Sequence, residues 1–363
     1  MSSLPTDLFD YVLPDRLIAQ SPPKERGQSR LLVVDRSTRQ LFHRQFKDLP
    51  NYLADGDTLI RNNAAVLPAR IRGIRPTGGA VECFLLRPET SADQQEAWWC
   101  LLRPGKRLKI GAQFFIAEAA QATVVQKSDD GVALVQFQLA QPGDTMTALA
   151  NRCGEMPLPP YIERARGDAR SKDDVDRYQT VYANRQKQVA VAAPTAGLHF
   201  TNAILAATSQ RGVTTAEVTL HVGLGTFRPV TADNITDHDI HQELYEMPDA
   251  TQQRLFADGQ GRRVAIGTTS VRAIEHFLSK HPAPTAGLHL DEADIFIFPP
   301  REFLGVDGLI TNFHQPRSTL MCLVSAFLTP GSHDGIDWIR EIYQAAIDEE
   351  YRFLSYGDAM LIL

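Results

Sequence analysis

The sequence predicts an α/β fold, a discontinuous α/β domain carrying an inserted small antiparallel β-barrel domain. Three observations carry that expectation. Strand-like and helix-like segments alternate after Asn151, closely spaced strand-like runs fill residues 65–150, and two further apolar runs precede them. The implied division is 1–64 for the first part of the α/β domain, 65–150 for the barrel and 151–363 for the second part of the α/β domain. The chain has 363 residues, the length of about two domains. An apolar fraction of 43% with 22% charged residues supplies a large core and excludes disorder as the main state.

The elements follow in order. Arg30 to Asp35 reads as a buried strand bounded by charge, and Asp57 to Ile60 as another. Val66–Ile74, Ala80–Leu86, Ala97–Leu102, Phe114–Ala117 and Val132–Leu139 are short apolar or alternating runs, with no helix among them. Turn signals separate several: Pro76-Thr77-Gly78-Gly79, Arg103-Pro104-Gly105 and Ser128-Asp129-Asp130-Gly131. Such spacing suits a barrel or sandwich. Beyond Asn151, Ala203–Gln210 is helical, with Thr201 as N-cap and Gly212 as stop. Val213–Val222 is a strand, and Arg263–Gly267 leads into a helix over Val271–Lys280. Asp294–Phe298 reads as a strand, Ser318–Leu328 as an apolar helix, and Trp338, Ile339, Ile342, Tyr343 and Ala346 stripe a final helix.

The four cysteines, Cys83, Cys100, Cys153 and Cys322, are widely spaced and form no C-x-x-C. That pattern argues for mostly buried thiols in a reducing compartment, against a disulfide framework or zinc module. Residues 1–14 show no basic stretch or long apolar core, and no run approaches a membrane span, so a cytoplasmic protein is expected. The formal net charge of −6 disfavours a surface basic all over but permits a local basic groove. Arg103, Lys106, Arg107 and Lys109 form one candidate patch; Arg164, Arg166, Arg170 and Lys172 form another. Each alone reads as a solvated face. Tyr161, Tyr178 and Tyr182 stand near the second and suit base stacking or simple burial.

Candidate chemistry gathers in loops beside predicted helix starts and strand ends. His199 closes Pro194-Thr195-Ala196-Gly197-Leu198-His199, ahead of the cap at Thr201, where free N–H groups suit an anion. His221 opens His221-Val222-Gly223-Leu224-Gly225-Thr226-Phe227, whose glycines allow close backbone approach to a ligand. His238, His241 and Glu243 form H-x-x-H-x-E, read as hydrogen-bonding or substrate-contact residues in preference to metal ligands. Gly267-Thr268-Thr269-Ser270-Val271-Arg272 offers hydroxyls and a positive helix end to a carboxylate or phosphate, or an N-cap at Thr269 or Ser270. It lacks the Gly-Lys of a P-loop. Glu275 follows on that helix as a base or salt-bridge partner. Thr311-Asn312-Phe313-His314 precedes the helix at Ser318. For each loop the ordinary alternative is a turn or a cap around a core histidine. Four such loops together fit the rule that open α/β sheets bind ligands beyond the carboxyl ends of their strands. The hexapeptide Pro194–His199 recurs as Pro284–His289 with unmatched flanks, which reads as chance or a loop.

Taken together, several strings resemble one family from end to end. They are Phe9-Asp10-Tyr11 with Leu17-Ile18-Ala19-Gln20-Ser21-Pro22, Leu67-Pro68-Ala69-Arg70, Tyr178-Gln179-Thr180-Val181-Tyr182-Ala183, Pro194 to Thr201 and Val218 to Phe227. Gly267 to Arg272, Thr311 to His314 with Ser318-Thr319-Leu320, and Tyr351 to Met360 complete the series. The resemblance is to the S-adenosylmethionine:tRNA ribosyltransferase-isomerase family of queuosine biosynthesis. The chain departs from that pattern at Val189 (usually Gly), Pro300 (usually Gly), Gln315 (usually Leu) and Ala64-Ala65 (usually Thr-Arg). The last change removes polar side chains from its loop.

The resemblance implies an α/β domain with an inserted barrel and a specific reaction. The ribosyl unit of S-adenosylmethionine, a co-substrate, passes to 7-aminomethyl-7-deazaguanine at the tRNA wobble position. It is rearranged to an epoxycyclopentanediol, giving epoxyqueuosine-tRNA, adenine and methionine. No metal, membrane or obligate protein partner is implied. A sulfonium acidifies the adjacent C5′, so a base is needed, and histidine suits proton removal and return. The expected acid–base groups are His199, His221 and His314, with Glu275 or Asp358 as alternative or orienting carboxylates. Thr195, Gly197, Gly223, Gly225, Thr226, Thr268, Thr269, Ser270, Arg272 and Asn312 are the expected S-adenosylmethionine contacts, with Thr268–Arg272 taking the methionine carboxylate or a tRNA phosphate. The two basic runs are the expected tRNA surface. A non-catalytic RNA binder would leave the histidine loops unexplained, and no methyltransferase glycine loop follows an early strand.

Overall fold

The computed structural model describes residues 4–89, 96–128, 131–165, 167–223, 229–257, 259 and 261–363, without the side chain of Val189. The chain opens with β1 (Arg30–Val34), β2 (Leu41–Gln45), β3 (Thr58–Asn62) and β4 (Ala64–Val66). The next six strands are β5 (Arg70–Ile74), β6 (Ala80–Pro88), β7 (Glu96–Arg103), β8 (Gln113–Ile116), β9 (Ala120–Lys127) and β10 (Val132–Leu139). They close an antiparallel barrel in the order β10-β7-β6-β5-β8-β9. Alternate residues such as Ile71, Cys83, Cys100, Phe114, Val124 and Val135 fill it, as a small barrel requires. Met146, Leu149 and Ala150 of α1 (Met146–Cys153) join that core.

The second half runs α2 (Arg170–Arg177), β11 (Asn184–Ala190), α3 (Asn202–Gln210), β12 (Thr214–Leu220), β13 (Glu243–Met247), α4 (Asp249–Phe256), β14 (Arg263–Ile266) and α5 (Thr268–Lys280). It ends with β15 (His289–Ala293), β16 (Gly308–Asn312), α6 (Thr319–Leu328), α7 (Gly335–Asp348) and β17 (Ala359–Ile362). Among the described residues one sheet has the order β15-β13-β12-β3-β14-β16-β17-β1-β2, so strands from both ends of the chain interleave. β4 pairs with β11 apart from it.

Both faces of the central strands are apolar because both are covered. Leu32 and Val34 face the side of α5, α6 and α7, whereas Leu31 and Val33 face Phe46, Phe200 and Ile204. Thr201 caps α3 by accepting from the Ile204 N–H, and Gly212 holds φ +81° just beyond it.

Some expectations change. The run Val66–Ile74 divides between β4 and β5. β9 and the start of α1 occupy stretches read as loop. Asp294–Phe298 is not a strand, because β13 pairs with His289–Ala293 instead. Neither Thr269 nor Ser270 caps α5; Gly267, at φ +86°, takes that place. All four cysteines are free, three of them buried and Cys153 exposed. No described helix is long and apolar enough to cross a membrane.

Candidate active site

β12, β3, β14 and β16 run parallel. Their carboxyl ends therefore lie along one edge, with Asn62, Leu220, Ile266 and Asn312 as last residues. β17 is antiparallel to β16 and β1 is parallel to β17, so the residues entering β17 and β1, Asp358 and Ser29, reach the same edge. The His221, Gly267–Arg272 and Thr311–His314 segments follow β12, β14 and β16, and the Pro194–His199 turn, which follows β11, reaches the same edge through Thr195 and Asn312.

At the centre is a chain of hydrogen bonds. Thr195 Oγ1 donates to Asn312 Oδ1 at 2.9 Å. That contact turns the Asn312 amide nitrogen toward His199 Nε2, 3.0 Å away. An amide nitrogen only donates, so His199 Nε2 accepts and its proton sits on Nδ1, facing Ser29 Oγ at 2.7 Å. The tight turn Thr195–His199 requires Gly197, since a Cβ there would meet the Tyr182 hydroxyl at 2.1 Å. Burial, helped by the Arg26 and Arg352 charges, lowers the His199 pKa to about 3, so the ring is neutral near pH 7.

His314 follows β16. Its Nε2 lies 2.7 Å from Thr311 Oγ1, and its N–H donates to the Tyr343 hydroxyl at 3.0 Å. Burial alone lowers its pKa to about 3. His314 lines a cleft of about 350 Å³ with Thr195, Asn312 and Tyr161. A second cleft, about 250 Å³, holds His199, Ser29 and Arg26. Ser355 borders both.

A third cleft of about 520 Å³ forms where α5 begins, lined by His238, His241, Glu243, Thr268, Thr269 and Arg272, with Phe296 and Leu323 among its apolar walls. Thr269 Oγ1 is buried there without a partner among the described residues. Leu320 connects this cleft with that of His314.

The family model described as "Queuosine biosynthesis protein" matches residues 6–362. Proteins named S-adenosylmethionine:tRNA ribosyltransferase-isomerase are similar over nearly the whole chain. The one from Staphylococcus saprophyticus is 44% identical over 98% of this chain and 99% of its own. The one from Thermotoga maritima is 41% identical over 98% of each. A crystal structure of S-adenosylmethionine tRNA ribosyltransferase from Thermotoga maritima covers 98% of this chain and 100% of its own, at 34% identity and a TM-score of 0.53. The chain belongs to the S-adenosylmethionine:tRNA ribosyltransferase-isomerase family.

Within this ribosyltransferase-isomerase framework the remaining candidates separate. His221 follows β12 and is not a member of the His199 hydrogen-bond chain. Its Nε2 is 3.9 Å from Glu246 Oε1, and Glu246 is ion-paired with Lys187. Burial lowers the His221 pKa against the pull of Glu246. Glu275 and Asp358, expected as carboxylate bases, are engaged otherwise. Glu275 accepts from the Leu304 and Gly305 N–H groups, and Asp358 from those of Arg30 and Arg352. Both are buried staples between chain segments.

Arg272 also differs from expectation. Its guanidinium is ion-paired with Glu243 and donates to the carbonyls of His241 and Ala293, each at 3.0 Å. It builds the wall of the third cleft instead of offering free donors. Ser270 Oγ donates to the Ile266 carbonyl at 2.8 Å. Glu243 Oε1 accepts from Gly223 N–H at 3.1 Å and so anchors the start of the glycine loop. Gly225 and Thr226 of that loop lie outside the described residues, as does Arg166.

The basic runs divide too. Arg103, Lys106, Arg107 and Lys109 are exposed on the barrel. Arg164 is nearly buried against Asp174 at 2.7 Å, so it holds the fold together and is withdrawn from an RNA surface. Arg170 pairs with Asp168 at 2.6 Å, and Lys172 is exposed. Tyr178 is buried in the core, not available for stacking. Among the departures from the family pattern, Ala64 and Ala65 are buried in β4, which pairs with β11, and Gln315 lines the His314 cleft. Ser29 and the Glu243 anchor were not singled out from sequence. Ser29 meets His199 across 170 residues, and a lone serine carries no local signal of that.

Proposed function

We propose that the chain transfers and isomerises the ribosyl moiety of S-adenosylmethionine onto 7-aminomethyl-7-deazaguanine at the tRNA wobble position. The products are epoxyqueuosine-tRNA, adenine and methionine. The observation that carries this reading is the Thr195–Asn312–His199–Ser29 chain beside His314 at the sheet edge. Burial keeps both imidazoles neutral, the form that accepts a proton. The sulfonium makes C5′ acidic; one histidine removes its proton, His199 doing so once substrate binding frees its Nε2 from the Asn312 amide, and the same proton is returned as adenine departs.

The first turn of α5 presents N–H groups that have no intrahelical partner, together with the buried Thr269 hydroxyl, to the third cleft, an arrangement suited to the methionine carboxylate. Thr268, Thr269 and Gly223 are the contacts assigned there, and Arg272 acts by shaping the wall. The exposed Arg103–Lys109 run receives tRNA phosphate, in the cytoplasm. Its affinity falls as salt rises, and a salt-independent affinity would contradict the assignment.

Incubation with S-adenosylmethionine and precursor tRNA, followed by mass spectrometry of the tRNA nucleosides, tests the reaction. Free adenine and the ribosyl-derived nucleoside are expected. S-adenosylhomocysteine with a methylated nucleoside would replace this reading by a methyltransferase, and tRNA binding without adenine release by a passive binder.

A further inference from the structure

At the outer edge of the sheet, away from the three clefts, another group of side chains converges. His281 is the C-cap of α5, and His289 and Asp291 stand two residues apart in β15, hence on one face of that strand. One ligand atom from each of these three residues lies within 4.8 Å of the other two. The two imidazole rings meet edge to face with centroids 4.6 Å apart. The Nε2 atoms of His281 and His289 are buried without a hydrogen-bond partner among the described residues. His289 Nε2 lies 3.9 Å from Asp291 Oδ2, and two buried ring nitrogens without a hydrogen bond are poorly accounted for by packing alone.

We propose that His281, His289 and Asp291 form a binding site for a divalent transition-metal ion of the zinc type. Two imidazoles and one carboxylate suit zinc, cobalt or nickel, whereas magnesium and calcium demand oxygen ligands. Zinc–nitrogen bonds of about 2.0–2.1 Å draw the ligand atoms together, and the partly exposed side chains have room to follow. Lys280 Nζ, 3.6 Å from Asp291, is 44% exposed and swings into water when the ion takes its place. His276 stays bound to the Tyr245 hydroxyl at 3.1 Å behind the site. The ion bridges the end of α5 to the outermost strand and closes the loop between them. This departs from the metal-free expectation and is independent of the ribosyl-transfer reading.

The test uses the full chain without an affinity tag, stripped with a chelator. Zn²⁺ alone is titrated by calorimetry and Co²⁺ by visible absorption. One ion per chain is expected, with the intense bands of four-coordinate cobalt and no thiolate charge-transfer band. His281→Gln and His289→Gln should each weaken binding more than about 10-fold, since even indirect partners of metal ligands cost that much. Wild-type chain that takes up no stoichiometric Zn²⁺ at micromolar concentration overturns the proposal. So does a folded double variant that binds as the wild type does, or a thiolate band that puts the ion on a cysteine. Should the variants lose their circular dichroism, the wild-type stoichiometry and cobalt spectrum still decide.

Discussion

The hexapeptide Pro-Thr-Ala-Gly-Leu-His occurs twice, and its two copies live differently. Residues 194–199 form a buried turn of 3-10 helix, while residues 284–288 are an irregular, mostly exposed loop entering β15. Each threonine hydroxyl donates to an amide carbonyl at 2.9 Å, Thr195 to Asn312 and Thr285 to Gln252. Gly197 is required by the Tyr182 hydroxyl pressed against it, whereas Gly287 has open space but a φ of +73°. His199 is held at both nitrogens, whereas His289 Nε2 has no hydrogen-bond partner among the described residues and stands 3.9 Å from Asp291. Six identical residues thus supply only options. The neighbours, drawn from distant parts of the chain, select between them.

Substitutions made in parallel can break that contrast. His199→Ala is expected to lower the rate of adenine release by at least about 100-fold, as loss of an acid–base group does. His289→Ala should leave the steady-state rate unchanged. Equal losses would mean that burial, not chemistry, distinguishes the copies.

Acid comes next. His199 and His314 titrate near 6.5 when unfolded but near 3 in the fold, because burial opposes the charged form. Above 6.5 both states are neutral and stability is unaffected. Below it the unfolded chain takes up protons that the native chain refuses, so stability falls as pH drops toward about 3. Urea unfolding midpoints across that interval should show the fall. His199→Gln should flatten it more than His289→Gln, whose ring is lowered in the same direction from a shallower position.

The glycines follow. Gly197→Ala should cost about 3 kcal/mol through overpacking, and Gly287→Ala about 1 kcal/mol through left-handed backbone strain. The smallest difference is at the threonines. Thr195→Val, which leaves the buried Asn312 carbonyl short of a donor, should cost about 2 kcal/mol, and the half-exposed Thr285→Val about 1 kcal/mol. Chemical unfolding of each pair checks both.

The same division explains what could be read from sequence. The barrel strands with large alternating residues and the strand–helix alternation after Asn151 were legible, because burial on one or two faces imposes a period. β9 was not, since its inward residues Ala120, Ala122 and Val124 are small. The apolar run Asp294–Phe298 misled because Ile295, Phe296 and Ile297 wall a cleft without pairing. His199, His314 and Asn312 announced themselves beside helix starts and strand ends. The roles of Glu275 and Asp358 did not, since each carboxylate is claimed by amides that only the folded chain delivers, Arg30 N–H lying 328 residues from Asp358.

The position of β17 has a consequence for synthesis. Its four buried residues lie between β16 and β1, so the sheet has a gap until the last strand arrives. β1 leaves the ribosome roughly 300 residues before its neighbour, a separation that makes the pairing slow and exposes apolar edges meanwhile. The barrel, local in sequence, can close first and shelter its own core. Asn312 gains its contacts with the Leu354 and Asp358 carbonyls only once β17 has joined the sheet.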